Sequence, residues 1–172
     1  VDVQWQDRDV ILTPPETLSL STIDRSAAER TRSILMFIGS LIHHFDSFDI
    51  PQSGGCTLGL RSVRPHLWAL ERFGVAISAE HDHFHIAQST LRPAEVVLFE
   101  SSDTATINAL LAAAGISGTS TIKYASANYQ VQEVCGFLKA LGFGVEGIGT
   151  TTLTITGSVL PKMDISYSIA ED

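Results

Sequence analysis

A block of eight residues occurs twice in this chain, and that repetition limits the possible folds more than any single segment does. Leu70-Glu71-Arg72-Phe73-Gly74-Val75-Ala76-Ile77 is matched by Leu138-Lys139-Ala140-Leu141-Gly142-Phe143-Gly144-Val145. Each block has the pattern of a last helical turn, a glycine near the helix C-cap and the start of a strand. A second short strand follows across a polar turn, Phe84-His85-Ile86 in one copy and Leu153-Thr154-Ile155 in the other. The repeated unit is a helix, a glycine and a β-hairpin.

The first twelve residues carry only the hairpin. Val1 and Val3 correspond to Val75 and Ile77, and Val10 and Leu12 to Phe84 and Ile86, with the same spacing. Near the other end, the alternation in Met163-Asp164-Ile165-Ser166-Tyr167-Ser168-Ile169 predicts the start of a further strand. The pattern is that of a piece of a longer repeat protein. Each unit also has a first helix. One is expected over residues 26–45, with Ile34, Leu35, Ile38, Leu41, Ile42 and Phe45 at helical spacing; its counterpart over residues 104–114 carries Ile107, Leu110, Leu111 and Ala114. Strands near residues 95–98 and 121–124 flank that second helix. The expected fold is α/β: βαβαββ units with helices packed inside sheets.

At 172 residues the chain has the usual size of one domain, and 44% apolar with 17% charged residues is globular composition. A formal charge of −8 argues against a general binder of nucleic acid or anionic membrane. No apolar run is long enough to span a bilayer, and Val1-Asp2-Val3-Gln4-Trp5 lacks the pattern of a secretory leader. Two cysteines are too few for a disulfide framework. A soluble cytoplasmic domain is the expectation.

Of those cysteines, Cys135 lies on the apolar stripe Val131, Val134, Leu138, Leu141 of a helix and reads as a small buried hydrophobe. Cys56 differs. It sits in Pro51-Gln52-Ser53-Gly54-Gly55-Cys56-Thr57-Leu58-Gly59-Leu60-Arg61, a glycine-rich connection between a strand and a helix, with Arg61 and Arg64 close in sequence. A nearby cation favours thiolate, so Cys56 is a candidate reactive thiol; an incidental surface cysteine is the alternative. His81-Asp82-His83-Phe84-His85 places alternate residues on one strand face, as a metal site would. The matching positions of the first hairpin, Asp7, Arg8, Asp9, Val10 and Ile11, argue for a solvated turn and no metal.

The run Gly54-Gly55-Cys56-Thr57-Leu58-Gly59-Leu60-Arg61, followed by His66-Leu67, resembles the catalytic loop of the UDP-N-acetylglucosamine enolpyruvyl transferases, in the EPSP synthase-like superfamily. The upstream helix from Arg32 to Phe45, the segment from Ala105-Thr106-Ile107 to Gly118-Thr119 and the helix around Phe137-Leu138 are similar too. The resemblance implies an inside-out α/β barrel lobe of βαβαββ repeats, of which residues 1–172 are the single catalytic-loop lobe and a second lobe of the same enzyme is a partner. It implies phosphoenolpyruvate and a nucleotide sugar as substrates, and no cofactor. Cys56 would be the general acid, within the loop of Gly54, Gly55, Thr57 and Gly59, and Arg61 would hold phosphoenolpyruvate. Arg32, His66, Ser102 and Asp103 would line the nucleotide-sugar site. The sequence departs from the family where lysine is replaced by Glu100, where Arg-Glu-Pro-Glu is replaced by Ala127-Asn128-Tyr129-Gln130, and where Arg-Pro-Val-Asp becomes Arg61-Ser62-Val63-Arg64.

Overall fold

The computed structural model describes residues 1–21, 23–52, 62–159 and 164–170. Strands β1 (Asp2–Gln6) and β2 (Asp9–Thr13) form a hairpin. Strands β3 (Ser47–Pro51), β4 (Val75–Ala79) and β5 (His83–Gln88) form an antiparallel sheet in the order β3-β5-β4. Strands β6 (Glu95–Val97), β7 (Gly118–Lys123), β8 (Gly144–Glu146) and β9 (Thr152–Gly157) form a mixed sheet in the order β6-β7-β9-β8, with β6 parallel to β7. Helix α4 (Asp103–Ala114) makes the crossover between that parallel pair.

The repeat read from the sequence is reproduced in the strand registers. Val3 faces Leu12, Ile77 faces Ile86 and Val145 faces Ile155. Helices α3 (Arg64–Arg72) and α5 (Tyr129–Ala140) precede the second and third hairpins. Each passes into its strand through a glycine at positive φ, Gly74 at 97° and Gly142 at 90°. A side chain at such a position meets the following carbonyl, which is why glycine recurs there.

Helix α4 is apolar and buried on nearly every side, from Ala105 to Ala114. A helix with no polar face needs neighbours all round. Here α3, α5 and the short helix α2 (Ile38–Leu41) pack on it, together with β7 and β9. The sheets present one buried face inward, as in Phe48 and Ile50 of β3 or Leu153 and Ile155 of β9, and their other face to solvent. Helices therefore lie inside sheets. The first hairpin stands apart. Val3, Trp5, Val10 and Leu12 are all exposed, because no described helix packs on the β1–β2 pair.

Two expectations are corrected. Residues 26–45 do not form one helix: α1 (Arg25–Arg30) ends at Thr31 in extended conformation (φ −123°, ψ 133°), a 3-10 turn runs over Arg32–Phe37, and α2 follows. Further along, a foreign side chain enters the helical ladder. Asn108 of α4 donates from Nδ2 to the Leu35 carbonyl (3.0 Å) and accepts at Oδ1 from the Gly39 N–H (2.7 Å), taking the places of the two partners of one i→i+4 bond. Residues 164–170 are not a strand. Tyr167 packs edge-on against Phe137 and donates to the Glu133 carbonyl, so this segment lies on α5 and pairs with no sheet.

The two cap glycines differ in their surroundings. A Cβ on Gly142 has no atom within 4 Å, whereas one on Gly74 meets the Thr90 carbonyl oxygen at 2.5 Å. Gly142→Ala is expected to destabilise by about 1 kcal/mol, through positive φ alone. Gly74→Ala is expected to destabilise by clearly more, and equal shifts in urea midpoint would contradict this account.

Candidate active site

The candidate site lies where the N-termini of α3 and α4 meet the 3-10 turn. Arg32, Ser62, Pro65, His66, Glu100, Ser102 and Thr104 line a cleft there. Ser102 is the N-cap of α4, its hydroxyl accepting from the Ala105 N–H at 3.4 Å. A Ser cap is what the exposed amides of a first helical turn require. Arg32 opens the 3-10 turn and donates from Nη2 to the Ser62 carbonyl at 2.8 Å. Ser62 in turn accepts the Arg64 N–H on its hydroxyl, at the start of α3.

His66 is the most constrained residue here, at 2% exposure. The Asn108 amide orientation is set by Gly39, whose N–H must face Oδ1, so Nδ2 is left to donate to His66 Nδ1 at 3.2 Å. Nδ1 is then an acceptor, Nε2 carries the proton, and Nε2 donates to the Thr104 hydroxyl at 3.2 Å. Both ring nitrogens are engaged inside the protein. Burial, and secondarily the Arg32 charge, push the imidazole down to about 4 from its ordinary 6.5. His66 is thus a neutral wall of the cleft rather than an exposed donor.

Of the residues expected at the nucleotide sugar, the fold brings Arg32, His66 and Ser102 together. Asp103 is turned elsewhere: its carboxylate accepts from the Ser126 hydroxyl and from Asn128 Nδ2 (2.9 Å), stitching the β7–α5 connection to α4. Cys56, Arg61, Gly54, Gly55, Thr57 and Gly59 lie outside the described residues. Cys135 is fully buried, and burial pushes its thiol up to about 11. Within the His81–His85 run, His83 and His85 are committed to carboxylates, with His83 Nδ1 2.7 Å from Asp82 Oδ1 and His85 Nδ1 2.7 Å from Asp49 Oδ1.

The sequence reading missed Asn108, Thr104 and Thr106. Thr106 receives the Ser126 N–H, and Asn108 is the centre of the hydrogen bonding. The signal was present: Asn108 is an amide flanked by Ile107 and Ala109 in a helix without a polar face. A buried amide needs partners, so its position marks a contact that matters. The cleft itself holds only about 10 Å³, room for roughly one water. These walls alone do not enclose a substrate.

The family profile of EPSP synthase (3-phosphoshikimate 1-carboxyvinyltransferase) matches residues 25–172. The chain belongs to the EPSP synthase family. Among curated relatives, UDP-N-acetylglucosamine 1-carboxyvinyltransferase 3 of Caldanaerobacter subterraneus is 35% identical over 133 residues, covering 77% of this chain and 32% of the relative. UDP-N-acetylglucosamine 1-carboxyvinyltransferase of Bradyrhizobium diazoefficiens is 32% identical over 154 residues, covering 90% of this chain and 36% of the relative. The chain spans about a third of the length of these relatives. Among solved structures, the enolpyruvyl transferase NikO from Streptomyces tendae aligns with a TM-score of 0.64 at 20% identity, over 78% of this chain and 32% of its own. EPSP synthase from Acinetobacter baumannii aligns at 0.51 and 19%, over 73% and 29%. The fold is therefore the inside-out α/β fold of the family. No helix among the described residues is long and apolar enough to cross a membrane.

A lowered imidazole pKa makes stability depend on pH. The fold favours the neutral ring, so the contribution of His66 is fully present above pH 6.5 and is lost as pH falls from 6.5 towards 4. The shift corresponds to roughly 3 kcal/mol. Urea unfolding of the wild type should weaken by about that much more between pH 7 and 4 than unfolding of His66→Gln; parallel losses in the two proteins would contradict the assignment.

Proposed function

We propose that this chain is the lobe of an enolpyruvyl transferase that carries the proton-donating thiol. Together with a second lobe, it transfers enolpyruvyl from phosphoenolpyruvate to the 3-hydroxyl of UDP-N-acetylglucosamine. The observation that carries the reading is the Cys56–Arg61 pair in its glycine-rich run, in a chain 35% identical to a UDP-N-acetylglucosamine 1-carboxyvinyltransferase over 77% of its length. Addition to the enol double bond needs a proton on the methylene carbon as positive character develops at the adjacent carbon, where the acceptor oxygen bonds. A thiol can deliver that proton, and that is the role assigned to Cys56. Arg61 presents a planar, two-pronged cation to the phosphate and carboxylate of phosphoenolpyruvate. Arg32 and Ser102 serve the nucleotide-sugar side, and neutral His66 holds that wall in shape.

The reaction needs no cofactor, and its product enters peptidoglycan synthesis in the cytoplasm. Fosfomycin, which alkylates the family's cysteine, would attack Cys56 and spare buried Cys135. The isolated lobe is inactive, because reaction between two bound substrates requires groups on both walls of the cleft. A second reading keeps phosphoenolpyruvate and changes the acceptor. Glu100 favours it, since a carboxylate on the cleft repels a diphosphate.

The test is phosphate release from phosphoenolpyruvate by a longer polypeptide that includes the second lobe. Release is expected with UDP-N-acetylglucosamine, and Cys56→Ala should reduce it at least about a hundredfold. Release only with another acceptor selects the second reading, and no release with any acceptor leaves a one-lobe binding protein. Turnover by residues 1–172 alone would contradict the two-wall requirement.

A further inference from the structure

Two arginines seven positions apart hold the two chain ends that flank residues 53–61. On the N-terminal side, β3 leads into Gln52, which is tied twice to the tip of the β4–β5 hairpin. Its N–H donates to the Asp82 carbonyl at 3.1 Å, and its side-chain amide donates to the Glu80 carbonyl at 2.7 Å. Arg25 of α1 closes on the same acceptor, with Nη2 3.4 Å from the Asp82 carbonyl and 2.5 Å from Asp82 Oδ2. His83 occupies the other carboxylate oxygen of Asp82 at 2.7 Å. On the C-terminal side, Arg32 donates to the Ser62 carbonyl at 2.8 Å, and Ser62 Oγ receives the Arg64 N–H at 3.1 Å. Arg25 and Arg32 belong to one stretch of chain, α1 and the 3-10 turn joined at Thr31.

We propose that this stretch is a brace, and that Arg25 and Arg32 are positioning residues which together fix Gln52 and Ser62, the two anchor points of the Cys56-bearing segment. In this role both arginines act through the main chain at the anchors. Their contribution is to hold Gln52 and Ser62, ten positions apart in the sequence, at one separation. The two arms differ in chemistry. The Arg25–Asp82 pair is about half exposed on both sides, at 54% and 52%, so it is weak and screened by salt. The Arg32 arm is a bond to a carbonyl dipole from a half-buried side chain, and salt affects it little.

The test is residue-resolved backbone amide exchange in wild type, Arg25→Ala, Arg25→Lys and Arg32→Ala. Gln52 and Arg64 report the two anchors, and Ile122 in the core reports global stability. Arg25→Ala should speed exchange at Gln52 by about two- to fivefold, the range an exposed ion pair supports, and leave Arg64 and Ile122 unchanged. Arg25→Lys should restore part of the protection, because it keeps a cation at Asp82. Arg32→Ala should act at Arg64 and not at Gln52. Raising salt to roughly 0.5 M, where the screening length is about 4 Å, should erase the Arg25 effect alone. Unchanged exchange at Gln52 in Arg25→Ala, or faster exchange at Gln52, Arg64 and Ile122 together, would overturn the brace. No substrate enters the measurement, so its failure is separate from failure of the enolpyruvyl-transfer reading.

Discussion

One side-chain amide replaces one helical hydrogen bond, and the site is organised around that replacement. The Leu35 carbonyl and the Gly39 N–H would be partners in a continuous helix; instead each bonds to the Asn108 carboxamide. The substitution dictates its neighbours. Residue 39 must be glycine, because a Cβ there would stand 2.6 Å from the Asn108 carboxamide oxygen and 2.3 Å from its main-chain oxygen. The chain before it tightens into a 3-10 turn, which brings Arg32 to Ser62. The remaining amide proton of Asn108 fixes the tautomer of His66, and His66 fixes Thr104 at the start of α4. Leaving any one of these buried groups without its partner would cost about 1–3 kcal/mol, so the set is retained or lost together.

This arrangement determines what the cleft can offer a ligand. A histidine in an active-site wall is commonly a proton donor or an anion contact, yet His66 is neutral, internally bonded and next to Arg32. The positive charge on this wall comes from Arg32, and Glu100 opposes it at the lip. Within the described residues, affinity for an anion rests on one guanidinium and the capped N-terminus of α4.

The sequence disclosed the repeated parts of the fold well and the joined parts poorly. Hairpin registers and cap glycines are local, repeated properties, so Val3 with Leu12, Ile77 with Ile86, Gly74 and Gly142 could all be read from spacing. The apolar period over residues 26–45 was equally regular, and it misled. Periodicity reports which side of a segment is buried; it does not report a side chain from seventy positions away entering the ladder. The same limit applied to residues 164–169, where Tyr167 serves contact with a helix and not a sheet. At the site, Ser102 was legible as the cap of its helix, whereas Arg32 was expected inside a continuous helix over residues 26–45 and instead opens the 3-10 turn. The bonding of the Asp103 carboxylate was not legible, because Ser126 and Asn128, its partners, are distant in sequence. The burial and bonding of His66 became visible only with Asn108 across from it.

The central claim is that Asn108 holds His66 as a neutral, Nε2-protonated ring at the wall of the cleft. Nitrogen-15 chemical shifts of the His66 imidazole, followed from pH 8 down to the acid limit of folding, test it most directly. The account predicts a pyrrole-type Nε2 and a pyridine-type Nδ1 that persist until the pH approaches about 4. Titration of that ring near its ordinary 6.5, or a proton found on Nδ1, would contradict it.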